Sequence, residues 1–207
     1  MLLALDTSAG TSVAIVDAGG GIRAERSTDD TMRHAEVIGG FLSDALDEAG
    51  VRPTELTAIA VGMGPGPFTG LRVGIAAARV FALGAGVRLL PVISHDAIAL
   101  DRYEAGFAGR MLLVTDARRR ELYWSRYDGL DERGVPRRLD GPGLAKPDAL
   151  PATEGDSAER VDAHRVPAGA LGILAQRMRQ HDVPFAADEP LYLRSPDVTL
   201  STRKRVS

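Results

Sequence analysis

Leu2-Leu3-Ala4-Leu5-Asp6-Thr7-Ser8 opens the chain with a compact apolar run closed by a carboxylate and two hydroxyls. Leu2 to Asp6 reads as a buried strand, and Thr7-Ser8-Ala9-Gly10 as the turn that leaves it. Ser12 to Val16 is β-branched and apolar, Gly19-Gly20-Gly21 predicts a tight reversal, and Ile22 to Ser27 returns as a further strand. The period then changes. Val37, Ile38, Phe41, Leu42, Ala45, Leu46 and Ala49 lie on one helical stripe. Gly50 stands at the C-cap position and Pro53 blocks continuation. A strand at Thr57 to Val61, a helix from about Phe68 to Gly84 and a strand at Arg88 to Ile93 complete the first half.

The resulting order, β-β-β-α-β-α-β, is an antiparallel meander feeding parallel crossover units. That is the ribonuclease-H-like α/β topology repeated in the actin/Hsp70-like (ASKHA) group. Beyond residue 100, Met111 to Thr115 and Glu121 to Tyr127 read as strands flanking Asp116-Ala117-Arg118-Arg119-Arg120. The strand-Asp-turn-strand pattern at Asp6 is thereby echoed at Asp116. Residues 129–166 are rich in Pro, Gly and charge and predict short strands and loops, and a helix follows over Ala168 to Gln180. The expected organisation is a first lobe over residues 1–100, a smaller second lobe over 101–197, and a disordered polar, basic tail over 198–207.

The chain has 207 residues, enough to bury a sizeable core. Its formal net charge of -3 gives no global basic field for independent nucleic-acid binding. With no cysteine, disulfides, thiolate metal sites and cysteine nucleophiles are excluded. The start lacks the basic region of a signal peptide, and no uninterrupted apolar run reaches the length of a membrane span. A cytoplasmic protein is expected.

Two stretches could carry chemistry. Asp6-Thr7-Ser8 offers a carboxylate for a hydrated metal, with hydroxyls and backbone N–H groups for phosphate. A turn that merely hydrogen-bonds itself is the alternative. Gly64-Pro65-Gly66-Pro67-Phe68-Thr69-Gly70-Leu71-Arg72 is a stiff turn into a helix N-terminus, where free N–H groups could hold an anion. It has neither the Gly-Lys-Ser/Thr of a Walker loop nor dinucleotide-binding spacing. A rigid turn that buries Phe68 explains it equally well.

Gly64-Pro65-Gly66, then Phe68-Thr69-Gly70-Leu71-Arg72 and Gly74, resemble the signature of the TsaB (YeaZ) family. Leu5-Asp6-Thr7-Ser8, Ser94 at a helix start, Asp116-Ala117-Arg118 before Glu121 and Tyr123-Trp124, and Pro190-Leu191-Tyr192-Leu193-Arg194 match in order and spacing. One departure is Pro67, where the family usually has Ser. The resemblance covers residues 1 to 197. It implies an actin-like fold and a subunit of the machinery that adds a threonylcarbamoyl group to adenosine 37 of tRNAs reading ANN codons. It also implies a catalytic partner, TsaD, a small ATPase, TsaE, a homodimer when alone, and tRNA contact only through the complex. No cofactor, metal or membrane is implied.

By the same resemblance, pairing runs through the first two helices. The expected interface residues are Ile38, Phe41, Leu42, Ala45, Phe68, Thr69, Leu71, Arg72, Ile75, Ala78 and Arg79. Asp6, Thr7, Ser8 and Asp116 would be a vestigial nucleotide site. Resemblance to TsaD itself would demand two histidines on one helical face gripping a metal. His34, His95, His164 and His181 are widely separated, and His34 is expected to be a surface or capping residue. Ala117 and Arg118 follow Asp116 where a phosphate hairpin would want glycine. The expectation is therefore an accessory subunit without an active site of its own. A small actin-like ATPase or kinase, and a metallopeptidase, are the competing classes.

Overall fold

The computed structural model describes residues 1–151 and 158–194. The expected tail at 198–207 lies outside the described residues.

Strands β1 (Leu2–Asp6), β2 (Thr11–Val16) and β3 (Ile22–Thr28) form the meander. Helix α1 (His34–Ala49) crosses to β4 (Ala58–Gly62), which pairs parallel to β1. Helix α2 (Phe68–Ala85) crosses to β5 (Arg88–Val92), again in parallel. The first sheet has the order β3-β2-β1-β4-β5. Strand periodicity divides its core. Leu3, Leu5, Ile59 and Val61 face α1 and α2, whereas Leu2, Ala4, Ala58 and Ala60 face the opposite layer.

That opposite layer is α3 (Ser94–Glu104) and α4 (Ala168–Gln180). Beyond it lies a second sheet of β6 (Arg110–Asp116), β7 (Leu122–Leu130), β8 (Pro136–Ala145) and β9 (Glu159–Ala163), ordered β8-β7-β6-β9. The order repeats β3-β2-β1-β4 of the first sheet, with β9 parallel to β6 as β4 is to β1. The echo of Asp6 at Asp116 is thus a structural repeat: each residue closes the central strand of its sheet. Ala168, Leu171, Leu174 and Ala175 of α4 pack in one cluster with Leu2 and Ala4 and with Met111 and Leu113. One helical layer therefore serves both sheets.

Gly50 ends α1 at φ 64°, its N–H bonding to Asp47 O and that of Val51 to Leu46 O, a Schellman arrangement. Helix α2 runs through Gly84 and ends at Gly86 instead, at φ 68°. Its all-round apolarity predicts burial on several sides, and there the structure differs. One face, with Leu71, Ile75, Ala78 and Ala82, is buried, while Val80 is 71% and Leu83 85% exposed. By length and mean hydropathy α2 is also apolar enough to cross a membrane, although Arg72 and Arg79 interrupt its apolar run.

Candidate functional site

Asp6 ends β1 as a buried carboxylate. Its Oδ1 accepts hydrogen bonds from the Ser8 N–H (2.7 Å) and hydroxyl (2.5 Å), and its Oδ2 from the Ser94 hydroxyl (2.5 Å). The Ser94 oxygen in turn accepts the Gly64 N–H at 3.0 Å. Burial raises the Asp6 pKa, and the hydrogen bonds from Ser8 and Ser94 oppose that rise. Thr7 donates to Gly70 O (2.7 Å) and accepts from the Gly74 N–H (3.1 Å), so its hydroxyl stands on one rung of the α2 ladder.

Four glycines spaced four residues apart make this approach possible. A Cβ at Gly62 would fall 1.7 Å from Asp6 Oδ2, and one at Gly66 2.6 Å from Ser8 Cβ. At Gly70 it would meet Thr7 O at 2.6 Å, and at Gly74 Thr7 Oγ1 at 2.2 Å. The glycine signature is spent on packing against the Asp6-Thr7-Ser8 turn. Serine, threonine and glycine together form a clasp that locks the β1–β2 turn to the start of α2.

The surface or capping role expected for His34 does not hold. It is buried, with Nδ1 2.8 Å from Thr11 Oγ1, because Gly70 leaves room for the imidazole beside α2. Burial holds its pKa below the usual histidine value, opposed by the Asp6 charge.

Asp6 and Asp116 do not share a cavity. A cleft of about 330 Å³ between the sheets is lined by Ser8, Ala9, Asp29, Thr31, Pro67, Asp116, Arg118, Ala163 and His164, while Asp6 lies behind Ser8. Asp116 is exposed, accepts the Arg118 N–H at 2.8 Å and lies 3.8 Å from its guanidinium. Arg118 also bonds the Thr31 hydroxyl across the cleft. Among the described residues, no three His, Asp or Glu side chains converge into a metal-binding group.

The expected interface residues divide in two. Ile38, Leu42, Ala45, Leu71, Ile75 and Ala78 are buried in the chain's own core, because each lies on the helix stripe that faces the first sheet. Phe41 and Phe68 are half-buried, and Thr69, Arg72 and Arg79 are exposed. Arg72 covers the Phe68 ring at 4.0 Å, and Tyr192 packs on the same ring at 4.8 Å. Tyr192 belongs to a C-terminal strap tied down by Ala186 N–H to Pro91 O (3.0 Å) and Leu191 N–H to Met63 O (2.8 Å). Arg79 pairs with Asp188 of this strap at 2.8 Å. The expected interface leaves out Val80 and Leu83, which lie together with Ala76 opposite the buried face. The all-round apolarity of α2 is the signal, since a helix seated on one sheet can bury only one of its apolar sides.

The family model of TsaD, tRNA N6-adenosine threonylcarbamoyltransferase, matches residues 9–186. A protein titled as similar to peptidase YeaZ from Pseudomonas aeruginosa superposes with a TM-score of 0.78 at 28% identity, covering 93% of this chain and 99% of that one. The chain belongs to this family, on its TsaB (YeaZ) branch. TsaB of Escherichia coli is 34% identical over 117 residues, 56% of this chain and 50% of that protein. The match to that TsaB thus spans about half of its length. An uncharacterized protein of Mycobacterium tuberculosis is 38% identical over 182 residues, 85% of this chain and 82% of its own length. The actin-like α/β fold follows from the family match and from the likeness to the YeaZ structure over 93% of this chain.

Proposed function

We propose that this TsaB-family chain supports tRNA threonylcarbamoyladenosine biosynthesis in the cytoplasm as a non-catalytic subunit that docks a TsaD-type partner. The outer side of α2 carries the reading. Val80 and Leu83 project from a helix already seated on the sheet, so their exposed apolar area has no structural role within the chain. Gly39 and Gly40 are exposed on α1, where absent side chains permit close helix approach. The clasp supports the non-catalytic part, since the Asp6 carboxylate is occupied by Ser8 and Ser94. A TsaE-type ATPase completes the assembly, and in the absence of TsaD the same face pairs two copies of this chain.

The test is co-purification of the tagged chain with the TsaD-type subunit, with threonylcarbamoyladenosine measured in total tRNA after depletion. Recovery of the subunit and loss of the modified nucleoside are expected. Neither partner recovery nor any loss of the nucleoside on depletion would sink the proposal. A V80D/L83D variant is expected to lower partner recovery at least about tenfold, since burying a Val or Leu contributes ~1.5–3 kcal/mol and ~1.4 kcal/mol is tenfold in affinity.

A further inference from the structure

A cleft between two halves of a chain can close on a ligand by hinge motion, in which a few element-terminal residues absorb the rotation. In this chain α4 packs on β1 and β2 of the first sheet, and α3 on β7 and β8 of the second. The backbone crosses between the halves at Ile93-Ser94, where β5 leads into α3, and returns at residues 164–167, where β9 leads into α4. It crosses again along the strap, from Met63 and Pro91 to Glu121. These crossings are where hinges would lie, and each is tied to both halves.

Ser94, His95 and Asp96 tie the first crossing. Towards the first sheet, the Ser94 hydroxyl donates to Asp6 Oδ2 at 2.5 Å and its oxygen accepts the Gly64 N–H at 3.0 Å. The Ser94 N–H donates to Gly64 O at 2.8 Å. Towards the second sheet, His95 Nδ1 lies 2.8 Å from Ser125 Oγ and Nε2 2.9 Å from Thr115 Oγ1. Asp96 accepts the Tyr127 hydroxyl at 2.7 Å. Ser94 and His95 are buried, as are Asp6, Thr115 and Ser125. Water does not compete for these bonds, and breaking one strands a polar group in the interior. Three consecutive side chains thus grip both sheets, and rotation about Ile93-Ser94 would have to tear one set of bonds away.

The return crossing is held in the same way. The buried Ser12 hydroxyl donates to Val166 O at 2.5 Å, and the Gly169 N–H to Glu25 Oε1 at 3.2 Å. At the mouth of the cleft Arg118 bonds Thr31, and Arg165 lies 3.4 Å from Asp29. Those rim pairs are exposed and contribute little, so the buried bonds decide the matter.

We propose that Ser94-His95-Asp96 is a bracket fixing the two sheets at one angle, which makes the chain a rigid scaffold whose cleft does not close on a ligand. This rigidity belongs to the chain alone and does not depend on a partner docking on α2.

The chain has no cysteine, so spin labels can be placed on introduced ones. The pair S27C/E132C puts one label on β3 and one on the turn after β7, and S27C/S43C keeps both labels on the first half as a control; all three positions are exposed. Distances within one molecule are read by pulsed electron paramagnetic resonance on labelled chain diluted with unlabelled chain, with and without magnesium-ATP as a probe of closure. The distribution between the halves is expected to be single, as narrow as the control, and unmoved by magnesium-ATP. A broader or split distribution, or a shift on adding the nucleotide, overturns the rigidity. T115V/Y127F then removes two of the bracket's partners at nearly constant volume, with thermal unfolding to check the fold. It is expected to broaden the distribution between the halves and leave the control unchanged. No broadening in the folded variant overturns the role of the bracket. If T115V/Y127F does not fold, Tyr127→Phe alone is judged by the same criterion.

Discussion

At the scale of single residues, the absence of a methyl group at position 62 holds the first lobe together. Gly62→Ala would drive Cβ to 1.7 Å from Asp6 Oδ2 and 2.6 Å from Ser94 Oγ, on a strand registered directly against β1. Neither strand can retreat without breaking the sheet, so overpacking and the loss of a buried hydrogen bond add together. A loss of about 4 kcal/mol in urea unfolding, or failure to fold, is expected. Gly84 is the contrast: nothing lies within 4 Å of its virtual Cβ. Gly84→Ala is expected to stabilise the chain by about 0.5–1 kcal/mol, because it removes glycine's entropy cost from a helix interior. A small effect at Gly62 would mean that the clasp is not the contact holding the turn.

At the scale of elements, α2 meets two different demands with one composition. Leu71, Ile75, Ala78 and Ala82 seat it on the first sheet, while Ala76, Val80 and Leu83 line its outer side. V80D/L83D should therefore leave the thermal midpoint of the isolated chain nearly unchanged, because surface substitutions away from special features lie within about ±0.5 kcal/mol. A marked drop in that midpoint would show that the outer side belongs to the chain's own packing, and would remove the argument for docking there. Packed against α2, the strap over residues 186–194 joins β5, the glycine loop and Phe68 to the β6–β7 turn. It links the two sheets from outside, much as α3 and α4 link them from within.

At the scale of the whole molecule, the interior junction between helical layer and second sheet is polar. His95 of α3 is fully buried, with Nδ1 2.8 Å from Ser125 Oγ and Nε2 2.9 Å from Thr115 Oγ1. Beside it Asp96 accepts a hydrogen bond from the Tyr127 hydroxyl at 2.7 Å, and Arg138 lies 3.6 Å away. Burial, reinforced by the Arg138 charge, lowers the His95 pKa to about 3 from an ordinary 6.5. The unfolded chain therefore binds a proton at His95 that the folded chain refuses. This group's share of stability is intact above pH 6.5 and falls by about 1.4 kcal/mol per pH unit until about pH 3. Burial raises Asp6 and Asp96 instead, so their contribution moves the opposite way, growing as pH falls. The difference between the native chain and His95→Gln isolates the histidine. Between pH 7 and 5 the native chain should lose about 2 kcal/mol more than the variant in urea unfolding. Parallel pH profiles would show that His95 does not couple the helical layer to acid.

How much of this was legible in sequence depends on the range of the interactions involved. Strand and helix periods, the Gly50 cap and the order of the elements follow from steric and hydrophobic rules acting over a few residues. They determined the actin-like α/β fold, and five motifs in order determined the family. Tertiary structure alone decided which side of each surface did what. Periodicity places Ile38, Leu42, Leu71 and Ile75 on apolar stripes, but only packing against the first sheet shows that these stripes are core and that Val80 and Leu83 are surface. The opening Leu2-to-Ser8 stretch shows the same division. Its strand was readable as a short apolar run bounded by turn residues. The fate of its carboxylate was not, because Gly62 and Ser94 reach Asp6 from 56 and 88 positions away, and only the closed sheet brings them into contact.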